Sequence, residues 1–134
     1  MRMVFWTILM VISTLSASAQ DRLETIKETI ERQMSAFQVD DFAAAFEYAS
    51  PNIQRLFGDP ETFGMMVKRG YPMVSRQADV TFLRLRLQQG STVQRILVTD
   101  ENGAVFALDY HMINTENGWR INGVDLLANS GLAA

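Results

Sequence analysis

The stretch AVFALDYHMINTENGWRINGVDL, residues 104–126, decides the fold. Phe106, Leu108, Tyr110 and Met112 recur at every second position, which is the side-chain period of a strand. The run breaks at Thr115-Glu116-Asn117-Gly118 and resumes at Trp119. Asn-Gly between two such runs is the strongest short hairpin signal, because both residues accept the positive φ of a tight turn. Two antiparallel strands are therefore expected over 104–113 and 118–127. Upstream, Asp100-Glu101-Asn102-Gly103 repeats the signal after a strand pattern at 92–99. Gln88-Gln89-Gly90-Ser91 does the same after 78–87. The C-terminal half thus reads as a four-stranded antiparallel meander.

Ahead of residue 78 the period is helical. Leu23, Ile26, Ile30, Met34 and Phe37 step by three or four residues and form one apolar stripe. A helix over 21–39 is expected, with Asp21 as its N-cap. Asp40 or Asp41 is expected to cap a short helix through Phe42 and Phe46. Ser50-Pro51 and Asp59-Pro60 each place a capping side chain before a proline, the usual start of a helix. Gly58 and Gly70 close those two helices, and Tyr71-Pro72 is expected to break helical structure. Residues 128–134 read as a frayed tail. The fold class is α+β: N-terminal helices packed on one face of a curved four-stranded antiparallel sheet.

Residues 1–19 read as a signal peptide and 20–134 as one domain. Arg2 supplies a positive start, Val4 to Ile12 an apolar run, and Ala17-Ser18-Ala19 a small-x-small cleavage pattern. The run is far short of the roughly 20 residues that span a bilayer. Cleavage after Ala19 is expected, with a periplasmic or secreted product and no stable membrane span. Of 134 residues, 115 then remain, enough for one core. Losing Arg2 leaves 11 basic against 15 acidic residues, a net charge of −4. Mild, scattered acidity gives no reason to expect a nucleic-acid partner. The absence of cysteine excludes disulfides, thiol catalysis and thiolate metal sites.

Two-residue turns at Asn102-Gly103 and Asn117-Gly118 would set Arg95 opposite Tyr110, and Tyr110 opposite Asp125. A turn at Gln89-Gly90 would set Arg84 beside Arg95. One face then carries Val80, Phe82, Val93, Leu97, Phe106, Leu108, Met112, Trp119 and Ile121, crossed by the row Arg84, Arg95, Tyr110 and Asp125. The other carries Leu83, Leu85, Leu87, Ile96, Val98, Val105, Ile113, Val124 and Leu126, with Asp109, His111, Arg120 and Asn122. Both faces are too apolar for a sheet wet on one side. The aromatic face suits the helices. The other calls for cover, most simply a homodimer through Leu83, Leu85 and Val98.

Several segments together resemble a known family. These are Asp40-Asp41-Phe42, Ala45-Phe46, Ala49-Ser50-Pro51, Ile53, Phe57, Phe63, Met66-Val67, Tyr71 and Gly118-Trp119-Arg120-Ile121. The chain is similar to the nuclear-transport-factor-two-like (SnoaL-like) cone. Within it, the chain most resembles a bacterial exported family known only as domain of unknown function forty-eight sixty-four. The resemblance implies a pocket between helices and concave sheet, often in a dimer. It implies no activity.

Arg95, Tyr110, Asp125, Trp119 and Tyr48 are the candidate pocket residues, with Tyr71 a second candidate lip. Arg95 suits a carboxylate or phosphate, and Tyr110 can donate a hydrogen bond. A structural ion pair closing the sheet mouth explains the same row. Tyr110 and Asp125 in an apolar cone would also suit proton transfer beside a carbonyl, as in ketosteroid isomerase. His111 with Asp109 has the form of a base and its orienter, yet sits on the face assigned away from the pocket. Asp40-Asp41 has the form of a carboxylate pair, which capping explains more simply. Met34, Met65, Met66, Met73 and Met112 could line an adaptable pocket or fill a core. One histidine and no cysteine give no metal site, and no motif implies a cofactor. The expected function is binding of a small apolar or amphipathic ligand or a protein partner. The alternatives are a cofactor-free isomerase or lyase using Tyr110 and Asp125, and a small lipid-handling domain.

Overall fold

The computed structural model describes residues 18–127. Most of the expected leader and all of the expected tail lie outside the described residues, as do the side chains of Asp21, Leu23 and Glu24. Helix α1 (Ser18–Gln38) starts ahead of the expected Asp21. Its stripe residues Ile26, Ile30, Met34 and Phe37 are all buried. Three short helices follow: α2 (Phe42–Glu47), α3 (Pro51–Phe57) and α4 (Pro60–Gly70). Each begins with the capping side chain that its sequence offers. Asp41 accepts from the Ala44 amide, Ser50 from Ile53 and Asp59 from Thr62. Asp40 leaves the caps and instead pairs with Arg76 at 2.9 Å and Lys68 at 3.4 Å. Tyr71 ends α4 as expected, but helical structure resumes directly after it. Pro72 opens one further turn, α5 (Pro72–Ser75), because a proline's missing amide costs nothing at a helix start.

The sheet is a meander in the order β1 (Gln77–Gln88), β2 (Ser91–Asp100), β3 (Val105–Thr115), β4 (Gly118–Leu126), all antiparallel. The helices lie on one face. Phe63 of α4 centres an aromatic cluster, its ring 5.5–5.8 Å from those of Phe37, Phe46 and Phe57. Gly64 lets α4 approach α2, since a Cβ there would stand 2.3 Å from the Phe42 ring.

The register departs from expectation at three places, each with a local cause. Between β2 and β3 the loop holds three residues, not two. Asp100 Oδ1 accepts from the amides of Asn102 and Ala104, and Gly103 takes the positive φ. That single extra residue turns β2 over. Gln94, Ile96 and Val98 face the helices, whereas Val93, Arg95 and Leu97 face away. Gln94, not Arg95, stands opposite Tyr110. Between β3 and β4 the turn residues are Glu116 and Asn117, and the ladder jumps from Met112–Ile121 to His111–Gly123. The bulge puts Val124, not Asp125, opposite Tyr110. In β1 a second bulge between Phe82 and Leu85 brings Leu85 to the helix side with Val80 and Phe82.

The expected row Arg84, Arg95, Tyr110, Asp125 is therefore broken. Arg84 sits exposed in the β1 bulge, Arg95 and Asp125 lie on the outer face, and Tyr110 alone faces the helices. The expected dimer surface dissolves for the same reason. Val98 has no exposed surface and Leu85 packs against the core, so neither shares a face with exposed Leu83. The outer face is also more polar than expected, because it carries Arg86, Arg95, Asp109, His111 and Asp125.

Candidate functional site

Two motifs far apart in the chain meet at the floor of a pocket. Ala49 forms a parallel bridge to Ile121. Its hydrogen bonds run from the Ser50 amide to the Ile121 carbonyl and from the Ile121 amide to the Tyr48 carbonyl, at 2.8 and 2.9 Å. The Ser50 hydroxyl donates to Asn122 Oδ1 at 2.8 Å while it caps α3. Ala49-Ser50-Pro51 thus clips the start of α3 onto β4. Ser50 is fully buried, so its replacement removes a cap and strands Asn122. Ser50→Ala is expected to lower stability by about 2 kcal/mol, measured by urea unfolding.

Above this clip lies a cavity of about 230 Å³. Phe37 of α1, Ile53, Leu56 and Phe57 of α3, Phe63, Met66 and Val67 of α4, and Val74 of α5 wall it on the helix side. Tyr110, Ile121, Gly123 and Val124 form the sheet side. Its polar side chains are Gln33, Tyr71 and Tyr110, and among the described residues no charged one lines it. The Gln33 amide donates to the Ala45 carbonyl at 3.1 Å, and the Tyr71 hydroxyl to the Val124 carbonyl at 3.0 Å. The Tyr110 hydroxyl is buried with no hydrogen-bond partner among the described residues. Burial, with a smaller contribution from nearby Tyr71, pushes its pKa up, so the phenol stays protonated.

Of the sequence candidates, the structure puts Tyr110 and Tyr71 at this cavity and takes the others elsewhere. Arg95 lies on the outer face, where Nε and Nη2 reach the two Asp109 oxygens at 2.9 and 3.0 Å. Arg86 Nη2 joins them at 2.7 Å. Hydrogen bonds from Arg95, opposed by burial and aided by Arg86, hold the Asp109 pKa down at about 2. Asp125 pairs with His111 at 2.7 Å, so the orienter of that histidine is Asp125 rather than Asp109. No Tyr110–Asp125 pair forms, which removes the pair on which the isomerase or lyase alternative rests. Trp119 and Tyr48 instead share a shallow cleft of about 470 Å³ with α1, where Arg120 lies over the Tyr48 ring at 5.9 Å. Of the five methionines named above, only Met66 lines the cavity. Met34, Met73 and Met112 are core, and Met65 is exposed.

Gln33, Val124 and Gln94 escaped the sequence reading. Gln33 sits on the apolar side of α1 and looks like a break in its stripe. Gly123, an isolated glycine inside a strand, was the available signal for the bulge that brings Val124 inward. Among the described residues, no group of three or more His, Cys, Asp or Glu side chains could hold a metal ion, and no helix is long and apolar enough to cross a membrane.

A family model described as Domain of unknown function (DUF4864) matches residues 19–134. No curated protein matches the chain. Among solved structures, the chain is similar to a phospholipid-binding protein from Ralstonia solanacearum in complex with a phospholipid. The identity is 15% and the TM-score 0.48, over 78% of this chain and 77% of that one.

Proposed function

The chain belongs to the DUF4864 family, and from that premise we propose that it binds a small apolar ligand in the cavity between its helices and its sheet. The observation that carries this reading is an apolar cavity lined in part by Tyr110, a buried tyrosine whose hydroxyl has no hydrogen-bond partner among the described residues. Buried polar groups are normally satisfied, and one left unpaired on a residue that lines a cavity marks a place for a partner. The volume favours a small ligand over a whole lipid, because about 230 Å³ falls below the usual range of roughly 300–1,000 Å³ for ligand pockets. We further propose that the domain works outside the cytoplasm, after cleavage following Ala19. The residues that read as a leader support this, as does a family match that begins at residue 19. Kinship with the nuclear-transport-factor-two-like cones belongs to the same proposal and is supported by helices laid on one face of an antiparallel sheet.

The test is a thermal-shift screen of the purified domain against small apolar compounds, charged and uncharged. A ligand present at ten times its Kd is expected to add about 1.4 kcal/mol of stability. Ile53→Trp, which places a large ring at a half-buried wall position, is expected to abolish the shift. A screen in which no compound moves the melting point, or in which Ile53→Trp responds like the parent, would overturn the reading.

A further inference from the structure

We propose, resting on the binding reading above, that the ligand is uncharged, about the size of one substituted ring, and carries an acceptor oxygen that Tyr110 hydrogen-bonds. The charge follows from the walls. Among the described residues no Asp, Glu, Lys, Arg or His lines the cavity, and Asp109, next to Tyr110 in β3, is turned outward and occupied by two arginines. A carboxylate or ammonium entering this space would give up its hydration and meet no counter-charge. The size follows from the volume. An apolar cavity of about 150 Å³ takes benzene, so about 230 Å³ takes a ring with a short substituent.

The oxygen follows from the donors. The amide nitrogen of Gln33 and the hydroxyl of Tyr71 already donate to backbone carbonyls. The Tyr110 hydroxyl does not, and its raised pKa keeps the proton on it. A fixed, protonated and unspent donor in an apolar wall selects for an acceptor and gives nothing to a hydrocarbon. It gives an anion too little to offset desolvation, because it is one neutral donor acting alone.

Three ligands of nearly one shape separate these statements: acetophenone, α-methylstyrene and benzoate. Their binding is read from the NMR methyl shifts of Val67 and Val124, both on the cavity wall. Acetophenone is expected to bind about five-fold more tightly than α-methylstyrene, the worth of one neutral hydrogen bond. Benzoate is expected to bind at least about 100-fold more weakly than acetophenone. In Tyr110→Phe the ketone and the hydrocarbon should bind equally. If none of the three moves those methyls, the binding reading itself falls. If benzoate matches acetophenone, the pocket binds ligands but the uncharged class is wrong. A ketone preference that survives in Tyr110→Phe, or is absent from the parent, removes the assignment to Tyr110.

Discussion

Asp109→Ala should cost this domain about 3 kcal/mol and lower its melting point by about 10 °C. Asp109 sits at the centre of the outer sheet face with its side chain only 7% exposed. It joins three strands, accepting from Arg86 Nη2 on β1 and from Nε and Nη2 of Arg95 on β2. Removing it leaves two half-covered guanidiniums close together with no carboxylate between them. The figure is set below that of a fully buried pair because the arginine side chains are 24% and 39% exposed and water screens them. The same residue governs acid stability. Its pKa is about 2 in the folded protein, below the ordinary 3.8, so the folded state favours the charged carboxylate. That contribution is complete above about pH 4 and disappears as pH falls through about 2. That stabilisation amounts to about 2 kcal/mol. Chemical denaturation of parent and Asp109→Asn across pH 2–5 reads it directly. The stability gap should close toward pH 2, and a gap independent of pH would refute this account.

Tyr110→Phe should do the opposite and make the unliganded protein more stable, by about 1 kcal/mol or somewhat more. Tyr110 is fully buried and its hydroxyl has no partner, so folding strips that group of water without return. Phenylalanine keeps the ring and drops the cost. The melting point should rise by about 4 °C. A fall in melting point would mean that the hydroxyl is satisfied in the folded protein, and the case for a ligand at that atom would go with it. A tyrosine that weakens its own fold is the pattern expected where a side chain is kept for what it binds.

Much of the architecture was legible because its signals are local. Ser50-Pro51 and Asp59-Pro60 announce helices through one side chain and one ring, and the alternation through Phe106, Leu108, Tyr110 and Met112 announces β3 and its inward face. The site was less legible because it depends on phase between strands. Asn102-Gly103 is compatible with two-residue and three-residue loops, and the choice falls to Asp100, whose carboxylate gathers two amides and lengthens the turn. One residue there decides whether Arg95 faces the pocket or the outer surface. The bulge beside Gly123 decides the same for Asp125. Charges read as a pocket floor became an outer lattice through two small irregularities, while Tyr110, on the strand whose phase was right, stayed at the cavity.

The clip between Ala49-Ser50 and Ile121-Asn122 bears on how the molecule assembles. Every strand pairs with its neighbour in the chain, so the sheet closes only short loops, and its contacts form at little entropic cost. The clip spans 72 residues and joins the first half of the chain to the last strand. It therefore belongs to the slow part of the search, the step at which preformed hairpins and preformed helices become one body. Because the cavity lies between those halves, its shape is complete only when that long-range contact has closed.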